Sequence, residues 1–363
     1  MERESDQSVL VEQLVELQMT LDDTITNLLT EELSVGSFSQ PDPEAVDAFV
    51  DDVRAHPIPT DIEQLLEAYL ELRDARPLFM WQWVHRLAPQ NTLPCVAQEF
   101  TGVVPADKTI TILFITMLDD LLEKRQDHAT FSELAKIPCE HQTPETTRDE
   151  VDTEYVEVAQ QVWETLLDRL QRGPNYEVYA DLLRYDVKQA INAIEYSVLA
   201  IQRPDLVTMS DLERYESHNM VMFAYADIDL MHSSVEVRDA LSTLREAIWT
   251  AQLMARIGNW VSTWERELRE GDYSSGPVVY ALDNGILSEA ELDRLNEGAP
   301  GLEDELVERI KDHGVEKTLL ARWQQYYRQL QWYNRELSRV DLEPFIGGTE
   351  NVLQYHLAST GFK

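Results

Sequence analysis

The run Ile112-Leu113-Phe114-Ile115-Thr116-Met117-Leu118 carries no charge and leads without a break into Asp119-Asp120-Leu121-Leu122-Glu123. The β-branched residues at its start would suit a strand. No turn signal separates them from the carboxylates, however, so residues 107–127 read as one helix. A helix that is apolar on nearly every side has to be enclosed by other elements. The carboxylates at its end then sit at the mouth of an interior space, where they need cationic partners. Asp119 and Glu123 share a face and Asp120 lies a step around. In a chain with 67 acidic residues among 363, about two acidic triplets of this spacing, Asp or Glu at each place, arise by chance. A solvated helix face is therefore the competing reading of this cluster.

The remainder of the chain is built to enclose such a helix. Leu10, Leu14, Leu17, Leu21, Ile25 and Leu28 recur at three- and four-residue steps and predict an amphipathic helix over 9–33. Gly36 to Pro43 reads as a loop. Helical patterns follow at 44–55, 60–74, 150–172, 176–201, 209–233 (with a break near His218-Asn219), 235–270, 287–297, 302–341 and 343–358, while Pro77 to Leu87 holds Phe79, Trp81 and Trp83 close together, which reads as core. Pro138 to Thr147 reads as a polar loop, Gly271 to Pro277 as punctuation, and Asn284-Gly285 as a helix end. No strand pair is evident and no Gly/Pro/Ser linker divides the chain. The expectation is an all-α fold, one domain over 1–363, in which helices form a bundle around a central apolar cavity. Residues 1–60 would be an N-terminal helical extension and 75–345 the core.

Charge and cysteine content narrow the function classes. The net charge is −37, and only seven of the 30 basic residues are Lys. Acidic residues are scattered over the whole chain, as suits a halophilic protein kept soluble where salt screens self-repulsion. Nucleic acid is excluded as a partner, because phosphate backbones demand a basic face. An anionic small molecule can bind only where metal ions and local arginines reverse the field. The two cysteines, Cys95 and Cys139, have no metal-ligand spacing, and a reduced, cytoplasmic chain is the simple reading. No apolar run reaches 18 residues, so no membrane span is expected.

A second cluster lies 140 positions after the first: Asn259, Thr263 and Glu267, each four residues apart, which places them on one face of the 235–270 helix. An amide oxygen, a hydroxyl and a carboxylate then point the same way, an oxygen-only half-cage of the kind Mg²⁺ prefers. Asn is scarce here, and about a tenth of a chance occurrence of this pattern is expected. A helix face on which Asn259 bonds locally is the plainer reading. Arg266, beside Glu267, adds a donor for an anion.

With these two motifs the sequence resembles the class I terpene synthases, over roughly residues 75–345. Asp119, Asp120 and Glu123 are similar to that family's aspartate-rich motif, and Asn259, Thr263 and Glu267 to its Asn/Ser-or-Thr/Glu motif. Arg266 stands where the family has a basic residue before the Glu, and Glu-Gly-Asp-Tyr-Ser-Ser follows as in the family. Two arginines depart from the pattern. The family's diphosphate-sensing arginine lies some 46 positions before the Asn; here Arg214 lies 45 before it, while the local Tyr-x-x-x-Arg pattern would put Asn219 in that place. The family's Arg-Tyr pair about 80 positions downstream is represented by Arg339, whose neighbour is Val340.

The resemblance implies an isoprenoid-synthase-like bundle that binds a linear prenyl diphosphate with Mg²⁺ and ionises it to a terpene and diphosphate. Metal ligands would be Asp119, Asp120, Glu123, Asn259, Thr263 and Glu267. Arg266, Arg339 and Arg214 would donate to the phosphates, with Asp119 central to the chemistry. Phe79, Trp81, Phe114, Tyr225 and Trp332 are candidates to face a carbocation, though core packing is the simpler account of any one of them. A prenyl diphosphate synthase would need a second Asp-rich motif in place of the Asn/Thr/Glu one. A non-catalytic scaffold of the same fold is the other alternative. The sequence leaves oligomeric state open, a homodimer included.

Overall fold

The computed structural model describes residues 43–358, all within the unit Asp42–Lys363. The helix expected over 9–33, and most of the loop before Pro43, lie outside the described residues. Among the described residues there are fifteen α-helices and no strand; an isolated bridge pairs Val96 with Ser233.

Helices α1 (Pro43–Ala55), α2 (Thr60–Glu71) and α3 (Leu78–Leu87) precede the apolar helix α4 (Val104–Glu123). Leu113, Phe114, Met117, Leu118 and Leu121 in α4 are fully buried, because α4 has neighbours all round: α3, α5 (His128–Leu134), α6 (Thr153–Leu170), α7 (Tyr176–Gln202) and α9 (Met222–Met231). Local chemistry sets the starts of α5 and α6. The side chains of Asp127 and Asp152 accept from the backbone N–H groups of Thr130 (2.9 Å) and Tyr155 (3.2 Å), satisfying donors that a helix start leaves open.

The segment expected to break near 218 does so. Helix α8 (Met209–Arg214) gives way to a tight 3₁₀ turn over Glu216–Met220. Buried Val221 then takes a left-handed φ of 54° before α9 begins, a costly conformation for a β-branched residue. A second hub is α10 (Leu241–Glu270), which packs on α9, the 3₁₀ turn, α11 (Gly276–Asp283), α14 (Val315–Glu336) and α15 (Glu343–Ala358). Between α11 and α14 come α12 (Glu289–Asn296) and α13 (Leu302–Asp312). The two hubs meet around α9. A wholly buried ion pair fixes α4 to α9: Lys108 Nζ lies 2.8 Å from Asp229 and also donates to the Asn91 carbonyl at 2.8 Å.

Two expectations need correction. The pattern over 302–341 is two helices, separated at Gly314, whose φ of 67° ends the first in the left-handed region. The stretch read as punctuation opens a helix at Gly276, where a Cβ would come within 2.4 Å of the Trp260 ring; glycine there permits close packing. Two hollows lie among the described residues. One of about 10 Å³ against α10, lined by Met222, Met254, Gly258 and Trp323, holds a single water at most. Another of about 220 Å³, lined by Phe100, Val103, Ala106 and His232, lies at the far end of α4 from its carboxylates. A prenyl-sized ligand needs roughly 300 Å³ or more, so side chains have to move for one to enter at either place.

Candidate active site

At the C-terminal end of α4 the three carboxylates have different fates. Asp120 is 2% exposed and its oxygens are engaged: the Tyr69 hydroxyl donates at 2.7 Å, Arg76 Nε at 2.7 Å, and Lys124 Nζ lies 3.0 Å away. Asp119 accepts from Arg76 Nη2 at 2.5 Å through Oδ2, while its buried Oδ1 has no hydrogen-bond partner. Glu123 stands 3.9 Å from the same guanidinium with 30% of its side chain exposed. Burial opposes charge on Arg76, but Asp119, Asp120 and Glu123 outweigh it and hold its pKa above the ordinary range.

The inner face of α10 brings Asn259, Thr263 and Glu267 into line, as the four-residue spacing requires. Thr263 is buried, and its hydroxyl donates to the Asn259 carbonyl at 2.8 Å while facing the Glu267 carboxylate. The Asn259 amide oxygen accepts from Arg256 Nη1 at 2.8 Å. Past Glu270 the chain turns at Gly271, with φ of 81°, and the Asp272 N–H returns to the Glu267 carbonyl at 2.8 Å. That helix stop holds Asp272 beside Glu267.

The two clusters lie within electrostatic reach of each other. The Glu123 carboxyl is pushed well above the usual carboxylate range by desolvation first, then by Asp119, Asp272 and Glu267. Glu267 is raised to about 7, by desolvation and then by Asp272, with Arg256 working the other way. Asp119 is raised by desolvation, which Arg76 opposes. Burial lowers the Arg256 pKa against the pull of Glu267, Asp272, Glu123 and Asp119, carboxylates from both clusters. Three crowded acids, Glu123, Glu267 and Asp119, that resist ionising form a site short of positive charge.

The remaining candidates are not all drawn in. Arg266 is 45% exposed and pairs outward with Glu270 at 2.5 Å, 3.7 Å from Glu267. Arg214 is exposed at the end of α8. Arg339 is not at the site: it donates to the Glu236 carbonyl at 3.1 Å, ahead of the first residue of α10. That is roughly 27 Å along the helix from Asn259 at 1.5 Å per residue. Of the five aromatics, Trp81, Phe114 and Tyr225 are buried. Trp81 packs edge-on against Tyr69, next to Asp120, and Phe114 against Trp163. Phe79 faces Arg54 at 5.9 Å, and Trp332, 51% exposed, lies on the outside of α14, where it cannot line an interior.

Sequence reasoning missed Arg76, Tyr69, Arg256, Glu216 and Asp272. Of these only Asp272 carried a signal, as the acid of the Glu-Gly-Asp that follows the second motif.

Whether these residues suit Mg²⁺ is answered by their donors. Among the described residues, no group of three or more His, Cys, Asp or Glu side chains is drawn together closely enough to hold an ion as it stands. Mg²⁺, however, needs only one or two carboxylates beside water and phosphate oxygens. The orphaned Asp119 Oδ1 and the mutual repulsion of Glu123, Glu267 and Asp272 suit such a cation. Both oxygens of Asp120 are bonded, which makes it the weakest ligand of the six.

No family model and no curated protein sequence matches the chain. Solved structures do. A cucumene synthase aligns with a TM-score of 0.50 at 15% identity, over 86% of this chain and 96% of its own. A polyprenyl synthetase of Streptomyces coelicolor A3(2) gives 0.46 at 15% identity, over 85% and 99%. A farnesyl diphosphate synthase of T. brucei gives 0.44 at 11% identity, over 96% and 99%. The likeness to cucumene synthase, with the all-helical architecture above, gives this chain a class I terpene-synthase-like isoprenoid synthase fold.

Proposed function

We propose that the protein is a Mg²⁺-dependent terpene synthase that ionises a linear prenyl diphosphate, releasing diphosphate and a terpene. The observation that carries this reading is the meeting of two acid clusters, one ending α4 and one ending α10, in a site too negative to be at rest without cations. Asp119 and Glu123 would hold Mg²⁺ on one side and Asn259, Thr263 and Glu267 on the other, with Asp272 adding negative charge behind Glu267. Bound Mg²⁺ would take up charge on the departing diphosphate and so ease cleavage of the allylic C–O bond.

The residues of the chain have three tasks in this scheme. Tyr69 and Arg76 fix Asp120, which orients the end of α4. Thr263 fixes the carboxylate of Glu267. The apolar side chains of α4 and α9 exclude water, which would otherwise quench a carbocation. Absence of a second Asp-rich motif argues against a chain-elongating synthase. Mg²⁺ as cofactor, a prenyl diphosphate as substrate and a salt-adapted setting all belong to this proposal.

The test is incubation with C10 to C25 prenyl diphosphates and Mg²⁺ in molar KCl, with mass spectrometry of the organic extract. A terpene hydrocarbon or alcohol that disappears with EDTA, and with Asp119→Ala or Glu267→Ala, is expected. A longer prenyl diphosphate, formed when an isopentenyl diphosphate co-substrate is added, would instead show a transferase. Intact substrate under every condition would leave a non-catalytic scaffold.

A further inference from the structure

Arg256 has the most confined cationic side chain of the α10 cluster. It is 8% exposed and its partner Glu216, from the 3₁₀ turn, is 0% exposed. Glu216 grips the guanidinium from one edge, accepting from Nε at 2.6 Å and from Nη2. Such a fork fixes the plane of the group and leaves the Nη1 edge to point elsewhere. Nη1 points at the Asn259 amide oxygen, 2.8 Å away. The Trp260 ring lies 5.3 Å from the guanidinium carbon. A buried arginine clamped on one edge thus has its free edge on the same oxygen that the proposed function gives to a metal.

An amide oxygen that accepts from a guanidinium cannot also ligate Mg²⁺ without strong repulsion between the two cations. We infer that Arg256 is a partner-exchanging latch: it holds Asn259 in the metal-free protein, gives it up when a metal binds, and leaves the freed Nη1 edge to the anion that accompanies the metal. This deepens the proposed function and rests on it. Arg256 is then a positioning residue for the metal and a direct contact for the anion. Its effects on the two ligands have opposite signs, whereas a residue needed only for folding would weaken both. The role also needs no movement of the helix, because the Glu216 grip persists while one edge changes partner.

The experiment measures Mn²⁺ binding, by paramagnetic resonance of the free ion, with and without inorganic diphosphate. Arg256→Lys keeps the charge and a partner for Glu216 but loses the fork. Mn²⁺ alone should bind it about tenfold more tightly than wild type, the worth of a released charged hydrogen bond. Diphosphate in the presence of saturating Mn²⁺ should bind it about tenfold more weakly. The double variant Arg256→Met/Glu216→Gln, which leaves no buried charge alone, should show the same pair of opposite shifts, with folding checked by circular dichroism. If wild type binds Mn²⁺ and diphosphate but Arg256→Lys is unchanged in both, or weaker in both, the latch is refuted while the metal site stands. If wild type binds no Mn²⁺ even with diphosphate, both the latch and the proposed function fall.

Discussion

Replacing Glu267 by Gln should make the metal-free protein more stable. Glu267 sits in the native protein with its pKa raised from 4.5 to about 7, so the folded state holds its proton more tightly than the unfolded chain does. Between pH 4.5 and 7 the unfolded state binds fewer protons, and stability falls as pH rises through this window, by at most about 1.4 kcal/mol per pH unit for this group. Above pH 7 the full penalty is present. The whole rise corresponds to an upper bound of about 3.4 kcal/mol. The side chain keeps 17% of its surface exposed and its neighbours can relax, so about 1–2 kcal/mol is expected. Gln has the same shape, can donate its amide N–H to the Thr263 hydroxyl oxygen and carries no charge. In EDTA at pH 8, Glu267→Gln should raise the melting temperature by about 1–3 °C, and the gain should vanish at pH 4.5, where wild-type Glu267 is largely protonated. Mg²⁺ with diphosphate should reverse the order, stabilising wild type and leaving the variant behind. Scanning calorimetry at the two pH values decides the matter. A variant that is neutral or destabilised at pH 8 without metal would mean that Glu267 is an ordinary, comfortably paired side chain.

Other expectations follow from placement. Arg339→Ala and Trp332→Ala should leave turnover within about twofold of wild type, because both are surface residues; a loss of tenfold or more in steady-state rate would return them to the site. Lys108→Met should cost about 3–5 kcal/mol in urea unfolding because it strands buried Asp229, and Lys108→Met/Asp229→Asn should recover much of that. A single variant as stable as wild type would contradict the pinning of α4 to α9. With 67 acidic against 30 basic residues, the melting temperature should climb from low salt to molar KCl as self-repulsion is screened; a flat response would oppose the halophilic reading.

What the sequence could show was set by what is local. The four-residue steps from Asn259 to Glu267 need only a helix to align them, and the unbroken apolar run before Asp119 needs only burial on all sides, so both motifs and the all-helical class were readable. Gly314 and Gly276 were harder. Each acts through a backbone conformation or a close approach, and neither disturbs the hydrophobic period enough to announce a boundary. The arginines failed for a different reason. Counting 80 residues on from Asn259 leads to Arg339, but a count fixes no direction once the chain breaks at Gly314 and leaves α14 after Glu336. Arg76 and Arg256, which do meet the acids, owe their partners to the α2–α3 connection and the 3₁₀ turn folding back on α4 and α10. Nothing in their immediate sequence marks that.

The claim that the two clusters act as one site is tested most directly by a double-mutant cycle. The readout is the rise in melting temperature on adding Mg²⁺ and inorganic diphosphate, for wild type, Asp119→Asn, Glu267→Gln and the double variant. If acids from α4 and α10 hold one metal–diphosphate cluster, each single change should abolish most of the rise, and the second should remove little more. Two partial losses that simply add, or a rise that survives either change intact, would show that the two ends do not share a ligand.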